Sequence, residues 1–135
     1  MTGPGGQELS VDDAVGVLTA AFSQPGGAQT VLGSLGEVSG LDYRPATAGR
    51  MFRSGTPATL SVGDWAFVAS DRSGVRVQVR HVVRGVPLQT ALVGPAEAGR
   101  KLAAEAFRAV TEQGAQASIE LQSALYGIAV VVGLA

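Results

Sequence analysis

The sequence predicts a single α+β domain in which a three-stranded antiparallel meander lies between helical segments. Three observations support this fold class. Apolar and polar residues alternate through residues 75–83 and 86–93, as in strands with one buried face. Apolar residues recur at helical spacing on both sides of these strands. Hydrophobic residues make up 46% of the 135 residues, which suffices for a packed core without disulfides.

The first predicted element is a helix that begins after Ser10 and follows a flexible N-terminal segment, residues 1–9. Ser10 can cap this helix, and Asp13 can complete a capping box. The residues from Ser10 onward are predicted to form one domain, 10–135. The apolar stripe of the helix contains Val11, Ala14, Val15, Leu18, Ala21 and Phe22. A short second helix is possible over residues 31–38, although each of two glycines inside it costs about 1 kcal/mol relative to alanine.

Residues 39–58 carry glycine, proline, serine and threonine throughout and are predicted to be a connection. Such a long connection is uncommon in a compact domain, so a short helix near 46–53 is an alternative. Met51 and Phe52 are expected to anchor this segment to the core.

The meander is predicted to comprise strands at about 64–70, 75–83 and 86–93. A turn at Asp71–Gly74 would place Asp71 opposite Val75, which brings Trp65 and Phe67 onto the face that carries the odd-numbered valines. A four-residue loop would instead bring the even-numbered residues of the first strand to that face. We favour the first register because it buries both aromatic side chains.

The third strand is expected to follow a two-residue turn at Arg84–Gly85. If Val83 pairs with Val86, then Leu88, Thr90 and Leu92 join the valine face, and Gln89 joins the opposite face with Arg76, Arg80 and Arg84. Pro87 cannot donate a ladder hydrogen bond, so this strand is predicted at a sheet edge.

A helix is predicted over about 95–113, with Pro95 in its first turn. A further helix or strand continues to the C-terminus. Residues 127–135 carry no charge but are too few to span a membrane, which needs about 20 apolar residues. So apolar a segment should be buried against its own sheet or against a second copy. The candidate self-association residues are Ile128, Val130, Val131, Val132 and Leu134.

The charge is unevenly distributed, although the net charge is only −1. Residues 1–42 hold five acids and no base, whereas residues 43–84 hold seven arginines and two acids. Either the acidic part packs near the basic part, or one sheet face binds an anionic partner. We favour the first interpretation. The candidate partner-binding residues are Arg72, Arg76, Gln78, Arg80, Arg84 and Gln89.

The sequence contains no complete catalytic motif and no cysteine, so no catalytic residue, metal site or cofactor is predicted. His81 is the only histidine, and the register places it on the apolar face. A core histidine is the default interpretation, and a general base is the alternative.

Three hypotheses follow from these patterns. The first is a non-enzymatic protein-interaction module that forms a homodimer. The second is a nucleic-acid-binding protein that uses Arg72, Arg76, Arg80 and Arg84. The third is a small-molecule or enzymatic site near His81. The absence of cysteine and the abundance of arginine, alanine and glycine are compatible with a bacterial, cytoplasmic protein.

Overall fold

In the part of the chain that the structure describes, four helices and a five-stranded antiparallel sheet make up the fold, which confirms the predicted α+β class. The computed structural model describes residues 8–47, 55–69 and 76–134. The strands are hydrogen-bonded in chain order, from β1 at one edge to β5 at the other. The elements in chain order are α1 (Val11–Phe22), α2 (Gly27–Leu35), β1 (Leu41–Arg44), β2 (Ala58–Val62), β3 (Trp65–Ala69), β4 (Val77–Val83), β5 (Val86–Val93), α3 (Pro95–Gln113) and α4 (Ala115–Val131).

The capping box that opens α1 has the predicted geometry. The Asp13 N–H donates to Ser10 Oγ at 3.1 Å, and the Ser10 N–H donates to Asp13 Oδ2 at 3.0 Å. These two bonds satisfy backbone donors that a helix start leaves unpaired. The hydrogen bond from the Ser10 N–H lowers the pKa of Asp13, because it favours the charged carboxylate.

The predicted connection over residues 39–58 is wrong at both ends, because β1 occupies its start and β2 begins at its last residue. Buried and partly exposed residues alternate in β2, and the buried ones are Ala58, Leu60 and Val62. A two-residue turn follows, since Val62 pairs with Trp65 and Gly63 has a φ of 57°. Residues 48–54 lie outside the described residues, and with them Met51, Phe52 and most of the alternative helix.

Pairing between β3 and β4 confirms the register that buries the aromatic residues. Trp65 lies opposite His81 and Phe67 opposite Val79. Phe67 is fully buried. Trp65 is partly buried and packs against the core. The sequence could settle this register because only one of the two alternatives buries both rings.

A β-bulge interrupts the pairing of β4 with β5. The turn at Arg84–Gly85 forms as predicted, and both residues have positive φ, 54° and 81°. The bulge follows two pairs later, so that His81 lies opposite Gln89 instead of opposite Leu88. An extra residue in one strand reverses the facing of every residue that follows it.

The predicted burial of Leu88, Thr90 and Leu92 is therefore wrong. Leu92 now lies opposite Gln78 and Thr90 opposite Arg80, and both are exposed. Leu88 is also exposed, at 62% of its surface. We call the sheet face that carries Gln78, Arg80, Thr90 and Leu92 the arginine face.

The opposite sheet face supports the core. Leu60, Phe67 and Val79 lie on this face, and α2 and α3 pack against the sheet there. All four helices contribute buried residues to the same core cluster. The most extensive contact between helices joins α1 to α3, and α4 packs against the other three. The sheet thus has its helices on one side, as expected for a two-layer α+β domain.

Candidate interaction surfaces

Exposed large hydrophobic side chains in the described residues concentrate in two places. One group lies on α4 and the turn after it, and the other lies on β5 and the hairpin that leads into it. The exposed fractions are 63% for Ile119, 65% for Val130, 65% for Val131, 57% for Leu134, 40% for Val83, 58% for Val86, 62% for Leu88 and 57% for Leu92. Clusters of exposed apolar side chains are typical of interaction sites.

The first surface follows the helical repeat of α4. Residues separated by three or four positions lie on one side of a helix, and here they point away from the core. We call this surface the α4 face and define it as Ile119, Ser123, Gly127, Val130 and Val131 of α4, together with Leu134, which is exposed after the turn at Gly133. None of these six side chains is charged. A Cβ placed on Gly127 would meet no atom within 4 Å, so the middle of the face is open.

Helical geometry divides the predicted self-association residues into two groups. Val130, Val131 and Leu134 are exposed and belong to the α4 face. Ile128 is fully buried in the core, and Val132 is partly buried against it. The sequence of the apolar tail is compatible with helix and with strand, so all five residues were predicted to act together. The helical spacing from Ile119 to Val131 would have identified most of the face.

An open cleft of about 470 Å³ lies beside the first half of α4. Its lining residues come from α2, α4 and the segment after α2, and they are Ser34, Glu37, Val38, Ile119, Glu120, Ser123 and Ala124. Glu120 closes one side, because its Oε1 accepts the Ser39 N–H at 2.7 Å. That hydrogen bond, with a smaller contribution from Gln116, lowers the pKa of Glu120.

The second surface contains the arginines of the β4–β5 hairpin. Arg76 and Arg84 are exposed, whereas Arg80 is partly buried and donates from Nη2 to Gln78 Oε1 at 3.0 Å. In the described residues, none of these three arginines forms a salt bridge. Gln89 lies opposite His81 on the other face, away from the arginines.

Arg72, the remaining predicted binding residue, lies outside the described residues. The four arginines therefore cannot be treated as one row. Within the described residues, Arg80 lies on the arginine face, Arg76 precedes β4 and Arg84 forms the turn.

His81 lies against an aromatic ring. Its ring centroid is 4.8 Å from that of Trp65, and the two planes are tilted by 32°. The Lys101 Nζ lies 3.7 Å from the centroid of the Trp65 ring, in cation–π geometry. His81 does not line the cleft beside α4. No cluster of three potential metal-ligating side chains was found in the described residues.

A smaller cleft of about 260 Å³ lies between α3 and the turn that joins β2 to β3. Its lining carries three acidic residues and one arginine, and Arg108 Nη2 donates to Glu105 Oε1 at 2.6 Å. This hydrogen bond raises the pKa of Arg108, with smaller contributions from Glu112 and Asp64. The Arg108–Glu105 pair leaves the carboxylates of Asp64 and Glu112 without an ion pair in the described residues, so this cleft carries a net negative charge.

No helix in residues 8–47, 55–69 and 76–134 is long and apolar enough to cross a membrane. Comparison with curated proteins and with solved structures gave no match. The model of one protein family, described as Domain of unknown function (DUF5073), matches residues 6–130. This match includes both candidate surfaces except for the last few residues of the α4 face. Because it covers most of the chain, the protein belongs to the DUF5073 family.

Proposed function

We propose that this protein is a non-enzymatic protein-interaction module that self-associates through the α4 face. One observation carries the proposal, namely an exposed surface on α4 and the turn after it that carries four large apolar side chains, with Glu120 as the charged residue at its border. Apolar surface of this extent is unfavourable in water, and a second copy can cover it. The cytoplasmic location predicted from the composition is part of this proposal.

The α4 face suits a two-fold contact with itself. In a symmetric pair the same surface serves both copies, so an uncharged surface avoids like-charge repulsion. Ser123 and Gly127 are small and lie near the middle of the face, which allows two helices to approach closely. In an antiparallel pair centred there, Val131 and Leu134 of one copy would approach Ile119 and the cleft beside it on the other.

The expected dimer is weak. A helix of 17 residues is about 25 Å long. One helix pair of this length buries less than the roughly 1,600 Å² of a standard interface. We therefore expect dissociation in the micromolar range, so that monomer and dimer exchange within an accessible concentration range.

Sedimentation velocity on the full chain over a concentration series tests the proposal. The variant Gly127→Arg places a charge at the centre of the α4 face and should keep the chain monomeric. Its matched control is Gly16→Arg in α1, because a Cβ on Gly16 also meets no atom within 4 Å. The control should dimerise like the wild-type chain.

A chain that stays monomeric at about 1 mM, or a Gly127→Arg variant that dimerises as well as the control, would refute self-association through this face. Truncation before the tail is a poor test, because it removes Leu125 and Ile128 from the core. Substitution on the exposed side of α4 avoids this problem.

Nucleic-acid binding is a second candidate function, favoured by the accessible arginines of the β4–β5 hairpin. Contacts between arginine and phosphate release counterions, so the affinity should fall steeply as salt increases. Binding to a mixed oligonucleotide pool should weaken in a variant that combines Arg76→Gln with Arg84→Gln. The absence of binding at low salt would exclude this candidate.

A further inference from the structure

We propose that the free edge of β5 binds an extended segment of a partner protein as a sixth strand, and that this segment combines apolar with acidic side chains. This inference concerns a different surface from the α4 face and does not depend on self-association. It rests on the backbone directions in β5, on the side chains beside them and on the charge of the hairpin.

The direction of the β4 backbone follows from one hydrogen bond. The Val82 N–H donates to the Asp64 carbonyl at 2.7 Å, which lies on the β3 side. Backbone groups alternate in direction along a strand. The N–H and C=O groups of even-numbered residues in β4 therefore point toward β3, and those of odd-numbered residues point toward β5. Val77, Val79 and His81 therefore bond to their partners in β5.

The remaining residues of β5 direct their backbone away from the sheet. Thr90 and Leu92 lie opposite the even-numbered residues Arg80 and Gln78, so their N–H and C=O groups point to the free edge. No other strand of the described residues pairs with this edge. A strand centred opposite Ala91 could make four backbone hydrogen bonds with these two residues.

The turn-proximal half of β5 is protected against such pairing. The backbone of Pro87 also faces the free edge, because Pro87 lies opposite Val82, but proline has no N–H to donate. The bulge at Leu88 disrupts the regular edge next to it. Proline and bulges are common means of blocking an edge strand. Residues 89–93 contain neither a proline nor a bulge, so the part of the edge that is open to pairing is the half of β5 far from the turn.

Side chains next to this edge favour an apolar partner. Leu92 is 57% exposed on the arginine face, and Thr90 is exposed beside it. A strand added at the edge would place alternate side chains next to Leu92 on that face. An apolar side chain there would cover Leu92 from one side.

The charge of the hairpin identifies the partner as acidic. Residues 76–96 contain three arginines and no acidic residue. Arg76 and Arg84 lie near opposite ends of the hairpin, and both are exposed. Edge-to-edge pairing with a second copy would bring two such basic hairpins together, which like-charge repulsion opposes. A segment with carboxylates would complement them.

The test uses a capped nonapeptide that alternates valine with glutamate, titrated into the isotopically labelled full chain by NMR to about 1 mM. We expect the largest amide shifts at Thr90 and Leu92, and slower hydrogen exchange at both. The substitution Thr90→Pro removes one outward N–H that β4 does not use, and it should weaken binding about tenfold. Val11→Thr, which changes an exposed apolar residue at the start of α1 outside both candidate surfaces, should leave binding unchanged.

Two control peptides separate the alternatives and do not depend on the folding of any variant. A peptide methylated on alternate backbone nitrogens cannot pair as a strand and should not bind. A peptide that alternates valine with lysine should bind at least tenfold more weakly.

The proposal is overturned if no shift occurs at about 1 mM, if both controls bind as well as the test peptide, or if Thr90→Pro has no effect. It is also overturned if Thr90 and Leu92 shift on concentration alone, since that result assigns the edge to a second copy. Preferential shifts with a single-stranded oligonucleotide would assign the hairpin to nucleic acid.

Discussion

Replacing Gly99 by alanine tests a close contact between α1 and α3. A Cβ on Gly99 of α3 would lie 2.6 Å from Thr19 Oγ1, 2.9 Å from Thr19 N and 3.2 Å from Thr19 Cα. Comfortable separations are about 3.5–4.0 Å between carbon atoms. The Thr19 side chain can rotate, but its backbone cannot move without shifting α1. The substitution therefore forces α1 and α3 apart by roughly half an ångström or more.

Alanine also brings a gain, because it favours helix over glycine by about 1 kcal/mol. Gly16→Ala in α1 isolates this gain, since a Cβ on Gly16 meets nothing within 4 Å. Overpacking of a dense core costs about 1–3 kcal/mol. We therefore expect the Gly99→Ala chain to be less stable than the Gly16→Ala chain by about that amount, in urea unfolding followed by circular dichroism.

The comparison between the two variants removes the helix-propensity term, which both share. If Gly99→Ala proves as stable as Gly16→Ala, then α1 and α3 do not approach as closely as described. A reduced slope in the urea transition would instead indicate that unfolding has ceased to be two-state, and the comparison would be repeated by calorimetry.

Two further substitutions probe single contacts. The pKa of Glu120 is lowered in the folded state, so its charge stabilises the fold above its unfolded pKa, and this contribution is lost as the pH falls through the folded value. Glu120→Gln should therefore lower the free energy of unfolding at pH 7, and this loss should shrink as the pH falls through the folded pKa of Glu120, whereas a loss independent of pH would show that its charge does not matter. Lys101→Met removes the cation over Trp65 and should cost about 0.5–1 kcal/mol, with a change in the fluorescence of this single tryptophan. Lys101→Arg should restore both, and a chain that loses no stability with methionine would contradict the cation–π contact.

The sequence predicted those elements for which one pattern excluded the alternatives. The start of α1 was predictable because Ser10 and Asp13 form a capping box at the right spacing. The β3–β4 register was predictable because the other register exposes Trp65 and Phe67. In contrast, β2 was missed although Ala58, Leu60 and Val62 alternate, because glycine and proline on its N-terminal side suggested a loop.

The facing of β5 could not be predicted in the same way. Its sequence has apolar residues at both parities, so Leu92 and Val93 compete for the core side. The bulge decides in favour of Val93, which is buried opposite Val77. Alternation alone carries no information about an inserted residue. The candidate surfaces shared this uncertainty, since the exposure of Leu92 depends on the bulge and that of Ile119 on the helical state of the tail.

The two ends of the fold are joined through Gln122. Its Oε1 accepts the Leu9 N–H at 2.7 Å and its Nε2 donates to the Leu9 carbonyl at 3.2 Å, across a sequence separation of 113 residues. Most of the surface that α1 buries likewise belongs to helices synthesised after the entire sheet. On the ribosome, α2 can cover only part of the apolar side of α1, and the rest stays exposed until α3 and α4 have emerged. Such long-range closure slows folding and leaves the nascent chain dependent on protection from aggregation for most of its synthesis.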